Sequence, residues 1–156
     1  MSVNLFSVEL GPGSTRDGYT SRRLELGPSL GAVGWGGTIY ELGPGERICP
    51  YHWHVDEEEW LVVLAGTPTL RDPDGEQVLR AWDVAVFQRG PGGAHEVRND
   101  TTETASVLML STLSNPEICV YPESGKIGAW WIDADGKPHG LRNRPEANLD
   151  YYDGER

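Results

Sequence analysis

Six short apolar stretches, each closed by turn residues, constrain the fold of this chain more than any other feature of it. They span 38–42, 60–65, 84–87, 106–113, 118–121 and 128–132, and several are rich in Val, Ile, Trp and Tyr. Between them lie GPGER, AGTP, DPDGE, RGPGGA and NDTTE, where Gly permits positive φ and Pro locks φ at about −65°. No long segment places apolar residues at i, i+3, i+4 and i+7, so amphipathic helices are not expected. The run RDPDGE at 71–76 reads as a hairpin tip joining 67–71 to 77–81. With 20 Gly and 11 Pro in 156 residues, the pattern predicts an all-β chain, a sandwich or a closed barrel with little helix. Residues 1–35 read as a strand or two that cover a sheet edge or reach a partner subunit. The polar stretch 137–156 is expected to wrap the surface. No repeat or linker interrupts the chain, so 1–156 is read as one domain.

Charge narrows the function classes. A formal net charge of −11 argues against nucleic acid, whose readers need basic surface to release counterions, and equally against anionic lipid. No window approaches the length of an apolar membrane span, and MSVNLFSVEL has no basic n-region of a signal peptide. A cytoplasmic location is therefore expected. Cys49 and Cys119 form no CxxC pair and are expected to be free thiols, with Cys119 packing as a small apolar residue and Cys49 inert.

The densest chemistry lies in CPYHWHVDEEEW, residues 49–60. On a strand, residues i and i+2 share a face about 6.6–7 Å apart, so His52 and His54 project together, as two ligands of one ion require. A third ligand would come from the acidic run 56–59, which leads straight into the strand at 60–65. A fourth would come from His95, after a glycine-rich loop. The bland reading is an exposed, histidine-bearing acidic turn. These residues alone leave both readings open.

A family resemblance separates them. Gly45, His52, His54, Glu59 and Gly66 stand in an arrangement that resembles the first motif of the cupins, with one extra residue between Gly45 and His52. The second cupin motif is similar to the run from Trp82 to His95 and on to Asn99. There Trp82 replaces the leading Gly, Gln88 replaces Pro, and four residues rather than two separate Gly90 from His95. The matched core covers about 38–113. The tail, with YPESGK at 121–126 and DYYDGE at 150–155, is similar to those of small bacterial cupins without assigned activity.

The resemblance implies a cupin double-stranded β-helix, a jelly-roll barrel of six to ten antiparallel strands that pairs as a homodimer. It implies one divalent ion (Fe, Mn, Ni or Zn) held by His52, His54, Glu59 and His95. Glu59 follows from the six-residue interval back from Gly66. Parity supports it, since Glu59, Leu61 and Val63 would share the pocket face while Trp60, Val62 and Leu64 share the other. Glu57 and Glu58 are then expected to be solvated turn residues. The implied partner is a small oxygen-rich molecule bound in the barrel. The chain would act on it as a metal-dependent dioxygenase, decarboxylase or isomerase, or else bind or sense it with a structural metal.

Outside the ligand set, Tyr51 and Trp53 are expected to face away from the histidine pair, and Trp130 and Trp131 to present one indole to each face of an edge or interface strand. Asn99 is expected to be structural, Arg89 an exposed loop residue and His139 a surface histidine. Tyr40 is left as a residue that could reach a ligand.

Overall fold

The computed structural model describes residues 2–154. Thirteen strands form among them: β1 (Gly11–Pro12), β2 (Arg22–Glu25), β3 (Trp35–Leu42), β4 (Trp53–His54), β5 (Glu59–Ala65), β6 (Thr69–Asp72), β7 (Gly75–Val78), β8 (Val84–Phe87), β9 (Glu96–Arg98), β10 (Ala105–Thr112), β11 (Glu117–Tyr121), β12 (Lys126–Ile132) and β13 (Pro138–Asn143). One five-residue helix, α1 (Leu26–Leu30), joins β2 to β3, so the all-β expectation holds. No helix among the described residues is long and apolar enough to cross a membrane. The strands form antiparallel sheets of six (β1-β2-β3-β10-β5-β8), four (β13-β12-β11-β4) and three (β7-β6-β9).

Alternation along β5 sorts its side chains between two apolar clusters. Leu61 and Val63 pack with Leu42, Leu70, Phe87, Val97 and Val107, between the six-stranded and three-stranded sheets. Leu64 turns to the opposite face and meets Leu26 and Ile39, which Leu5, Val8 and Leu10 from the N-terminal segment cover. Each fully buried Leu or Val of the first cluster contributes about 1.5–3 kcal/mol. The N-terminal residues therefore cover one sheet face and extend its edge through β1 and β2.

One turn and one tail segment differ in detail from their sequence expectations. The hairpin tip tightens to Pro73-Asp74, because Asp72 Oδ1 accepts the backbone N–H groups of Asp74 and Gly75 and closes the loop in two residues. Part of the polar tail, expected to be surface wrapping, is instead β13, paired with β12 over six residues. It lacks apolar alternation because it is an edge strand with almost every residue exposed. Residues 155 and 156, also in that tail, lie outside the described residues.

Two motif positions have backbone reasons. Gly66 has φ 78°, and a Cβ there would meet Ala105 Cα at 2.7 Å. Trp82, where the second motif carries glycine, also adopts a left-handed φ of 75°. That conformation costs a non-glycine residue about 1–2 kcal/mol.

Candidate metal centre

Three local structures bring His52, His54, Glu59 and His95 to one point. The two-residue strand β4 holds His54 against Cys119 of β11, while His52 and His95 form a backbone bridge with reciprocal N–H···O bonds of 3.1 and 2.8 Å. Glu59 opens β5 between Ser111 and Phe87 on the neighbouring strands. The 3₁₀ turn Pro91–Gly93, which takes up the two extra residues of the loop, delivers His95 onto the face of Phe87, with ring centroids 3.7 Å apart. His52 and His54 are 7% exposed and His95 1%.

Hydrogen bonds fix the tautomers. The Nδ1–H of His52 donates to Pro50 O at 3.0 Å, and that of His95 to Gly93 O at 2.9 Å, since a carbonyl can only accept. His54 Nδ1–H faces Glu117 Oε1 at 3.1 Å. All three imidazoles therefore turn Nε2 inward. His52 Nε2 lies 3.0 Å from His54 Nε2, and Glu59 Oε2 lies 3.0 Å from His54 Nε2 and 3.1 Å from His95 Nε2. With neutral His95 the last contact sets a lone pair against a lone pair, and among the described residues Glu59 Oε2 and His95 Nε2 are buried without a hydrogen-bond partner. Such a contact calls for a cation. The three-nitrogen, one-carboxylate donor set fits Fe, Mn, Ni or Zn, with His Nδ1–H groups held from behind as metal ligands usually are.

Without an ion, a proton takes part of that role. Burial lowers the pKa of His54, but the hydrogen bonds of Cys119 and Glu117 and the adjacent Glu59 carboxylate outweigh it and push it up to about 12. Burial, then the neighbouring His95 and His54, lower His52 to about 4. Burial alone would raise the Glu59 pKa, yet contact with His54 and His95 holds it well below the usual carboxylate range. The His54 proton stabilises the ion-free fold fully below the ordinary histidine pKa of 6.5, and that contribution fades as pH rises towards 12. A metal must displace this proton, whereas His52 and Glu59 are already deprotonated at neutral pH. Metal binding is therefore expected to release about one proton, and the apparent affinity to rise roughly tenfold per pH unit between pH 7 and 9. Calorimetry in buffers of different ionisation enthalpy measures this; pH-independent affinity would contradict it.

Sequence reasoning missed Glu117 and the hydrogen bonds of Cys119, which is otherwise the free, buried thiol expected. Glu117 Oε1 receives the His54 Nδ1–H and also the Cys119 S–H, at 3.0 Å. Cys119 is thus a hydrogen-bonding neighbour of the site and not simply an apolar filler. Burial raises its thiol to about 11, so it stays protonated. Cys49, also protonated because burial raises its pKa, lies 3.5 Å from His52 Nδ1. The alternation in EICVY was the available signal, since it puts Glu117, Cys119 and Tyr121 on one face, where Tyr121 stacks on His52. Glu117→Ala is expected to weaken metal affinity about 10- to 100-fold by freeing the His54 ring, as a competition titration with a chelator would show.

Glu57 is not solvated: it is 5% exposed, and its Oε1 accepts the Ser114 N–H and O–H. Glu58 is half-buried and accepts the Trp60 indole N–H. Asn99 is fully buried and structural, donating to Leu42 O and Glu103 O. Arg89 is exposed. His139, half-buried, pairs with Asp133 and stacks on Trp131. Tyr51 lies under the Arg71 guanidinium.

A cavity of about 670 Å³ opens onto the cluster, lined by His52, Glu59 and His95 at one end and by Tyr40, Ser111 and Glu117 beside them. Burial raises the Tyr40 phenol to about 12, so it is a hydrogen-bond donor at neutral pH.

The family model of the Cupin domain matches residues 38–111. No curated protein matches the sequence. A sugar phosphate isomerase of the cupin superfamily from Silicibacter pomeroyi has a similar structure, with 25% identity, a TM-score of 0.80 and 98% of each chain covered. A predicted oxalate decarboxylase from Thermotoga maritima is 19% identical with a TM-score of 0.61, covering 73% of this chain and all of its own. The polyketide cyclase RemF from Streptomyces resistomycificus is 20% identical with a TM-score of 0.60, covering 73% of this chain and 80% of its own.

Proposed function

Because the chain belongs to the cupin superfamily, we propose that it is a metal-dependent enzyme that isomerises a small oxygen-rich molecule in its cavity. The observation that carries this reading is the convergence of three inward Nε2 atoms and one buried carboxylate at the floor of an open cavity. Likeness to a structure described as a sugar phosphate isomerase supports isomerisation over decarboxylation or dioxygenation. A divalent ion held by His52, His54, Glu59 and His95 would polarise a carbonyl oxygen of the bound molecule.

The chain's own residues supply the rest. Isomerisation moves a proton from one carbon to its neighbour while carbonyl and hydroxyl exchange places, so it needs a base and no redox partner. Glu117 lines the cavity without being one of the four converging donors. Its Oε1 is engaged by His54 and Cys119, and its carboxylate is the proton acceptor in this reading. The Tyr40 hydroxyl donates to a substrate oxygen, and Met109 gives part of the wall an apolar character. Glu117→Gln separates base from support, because an amide oxygen still accepts from His54 but takes no proton. It is expected to keep the metal and lose activity by about 100-fold or more.

The test is metal-loaded protein incubated in deuterated water with aldose phosphates, followed by NMR. Conversion to the ketose with deuterium at the exchanged carbon is the expected result. Stoichiometric metal and ligand binding without turnover would instead support a non-catalytic sensing role. A second copy of the chain is the partner we assign to the outer face of β5 and β8. There Trp60 of β5 pairs with Val86 of the edge strand β8, next to Val84, and all three side chains are exposed. Light scattering that gives a monomer mass would remove that assignment.

A further inference from the structure

The six-stranded sheet sets out its cavity face as rows of paired residues. Gly36, Ser111, Glu59 and Phe87 form one row across β3, β10, β5 and β8, next to the metal cluster. Four residues further along β3, Tyr40 pairs with Arg23 of β2 on one side and Val107 on the other. The cavity spans these rows, with Glu59 at one end and Arg23 at its rim.

Arg23 is the one Lys or Arg among the described residues lining this cavity, which also holds the carboxylates of Glu25, Glu59 and Glu117. Arg22, next to it, turns to the opposite face and is engaged by Glu41 and by Leu10 O. Among the described residues Arg23 has one ion-pair partner, Glu25 Oε1 at 3.3 Å, and both side chains of that pair are about half exposed. An ion pair so placed is weakly held, and a guanidinium with five N–H donors has several left for a ligand. In a chain of net charge −11, a neutral polyol would need no cation at the mouth of an acidic cavity.

The span also selects a ligand length. Three interstrand spacings of ~4.8 Å and four residues of ~3.3 Å put Arg23 and Glu59 about 19 Å apart between Cα atoms on a flat sheet. Side chains reaching inward from both ends leave a gap on the order of 10 Å. A phosphorylated chain of five or six carbons covers that gap.

We propose that Arg23 anchors the phosphate of a phosphorylated sugar whose carbonyl end lies at the metal cluster, with Tyr40 between them. The assignment rests on the isomerase reading for the orientation of the carbonyl, and it adds the residue that selects phosphate esters. The three cavity carboxylates repel an anion until the divalent ion offsets them, so binding of the phosphate ester depends on metal.

Calorimetry on metal-loaded protein tests this, with metal content measured on every sample. The probes are ribose 5-phosphate, glucose 6-phosphate, the two unphosphorylated sugars and ribonate, against wild type, Arg23→Gln and Arg23→Lys. Wild type is expected to bind at least one phosphate ester ten times more tightly than its parent sugar, and only when metal is present. Arg23→Gln is expected to lose about 10- to 100-fold of that affinity, with sugar binding and metal content unchanged, and Arg23→Lys to recover part of it. Equal binding of phosphate ester and sugar, or an Arg23→Gln affinity equal to wild type, would overturn the anchor. Preference for ribonate that depends on Arg23 would overturn the phosphate assignment. Turnover with an unchanged Arg23→Gln affinity would sink the anchor alone, whereas Arg23-dependent binding without turnover would sink the isomerase alone.

Discussion

Exchange of both His52 and His54 for alanine is expected to take bound divalent metal from about one ion per chain to near none, with the fold retained. Their Nε2 atoms stand 3.0 Å apart, and both rings face Glu59 across the cluster. Removing them leaves His95 and Glu59, too few donors to hold a first-row ion against water, so affinity should fall by more than about a thousandfold. The backbone bonds that shape the site survive the change, because His52 pairs with His95 and His54 with Cys119 through main-chain atoms. The close approach of the His52 and His54 Nε2 atoms is also removed. Metal content by mass spectrometry and a far-UV dichroism spectrum check both halves. A double variant that is folded and still stoichiometrically loaded would contradict the site.

Gly93→Ala should have the largest effect on stability among single-atom additions near the site. A Cβ at Gly93 would stand 1.7 Å from Gln88 O and 2.7 Å from Gln88 C and N, all backbone atoms that cannot rotate away. Relief requires the turn Pro91–Gly93 to open. That turn carries the carbonyl that receives the His95 Nδ1–H, so His95 moves with it. The cost is about 3 kcal/mol or more, on the order of 10 °C in Tm for a chain of this size, together with weaker metal binding. Gly92→Ala is the control: nothing lies within 4 Å of its Cβ, and a change below about 0.5 kcal/mol is expected. Thermal melts of the two variants that coincide would refute the packing argument.

How much of this was legible in the sequence depends on which residues needed a distant partner. β5 and β10 were readable because alternation is local, and they run from 59 to 65 and from 105 to 112 against the expected 60–65 and 106–113. The side of β5 that Glu59 occupies was readable for the same reason. Leu61 and Val63, which share its parity, are fully buried, while Trp60 is exposed. Glu57 was not readable, because its burial depends on Ser114, fifty-seven residues away. Glu117 and Cys119 alternated visibly, but nothing local showed that β11 would pair with β4 and bring them to His54. Arg23 was missed because β2 lies in a weakly patterned segment that only pairing with β3 defines. Trp82 was noted as a departure from a glycine position, and its positive φ shows that the backbone kept the shape the glycine would have served.

Three histidine nitrogens and one carboxylate oxygen are the proposed ligands of the ion. Two other groupings, His52–His54–Cys119 and His54–Glu57–Glu117, lie close enough to offer ligands to a metal. The X-ray absorption spectrum of metal-loaded protein separates them. The expected first shell contains only nitrogen and oxygen at about 2.0–2.2 Å, with the outer-shell scattering of three imidazole rings. A sulfur neighbour at about 2.3 Å, or scattering from a single imidazole, would contradict the account.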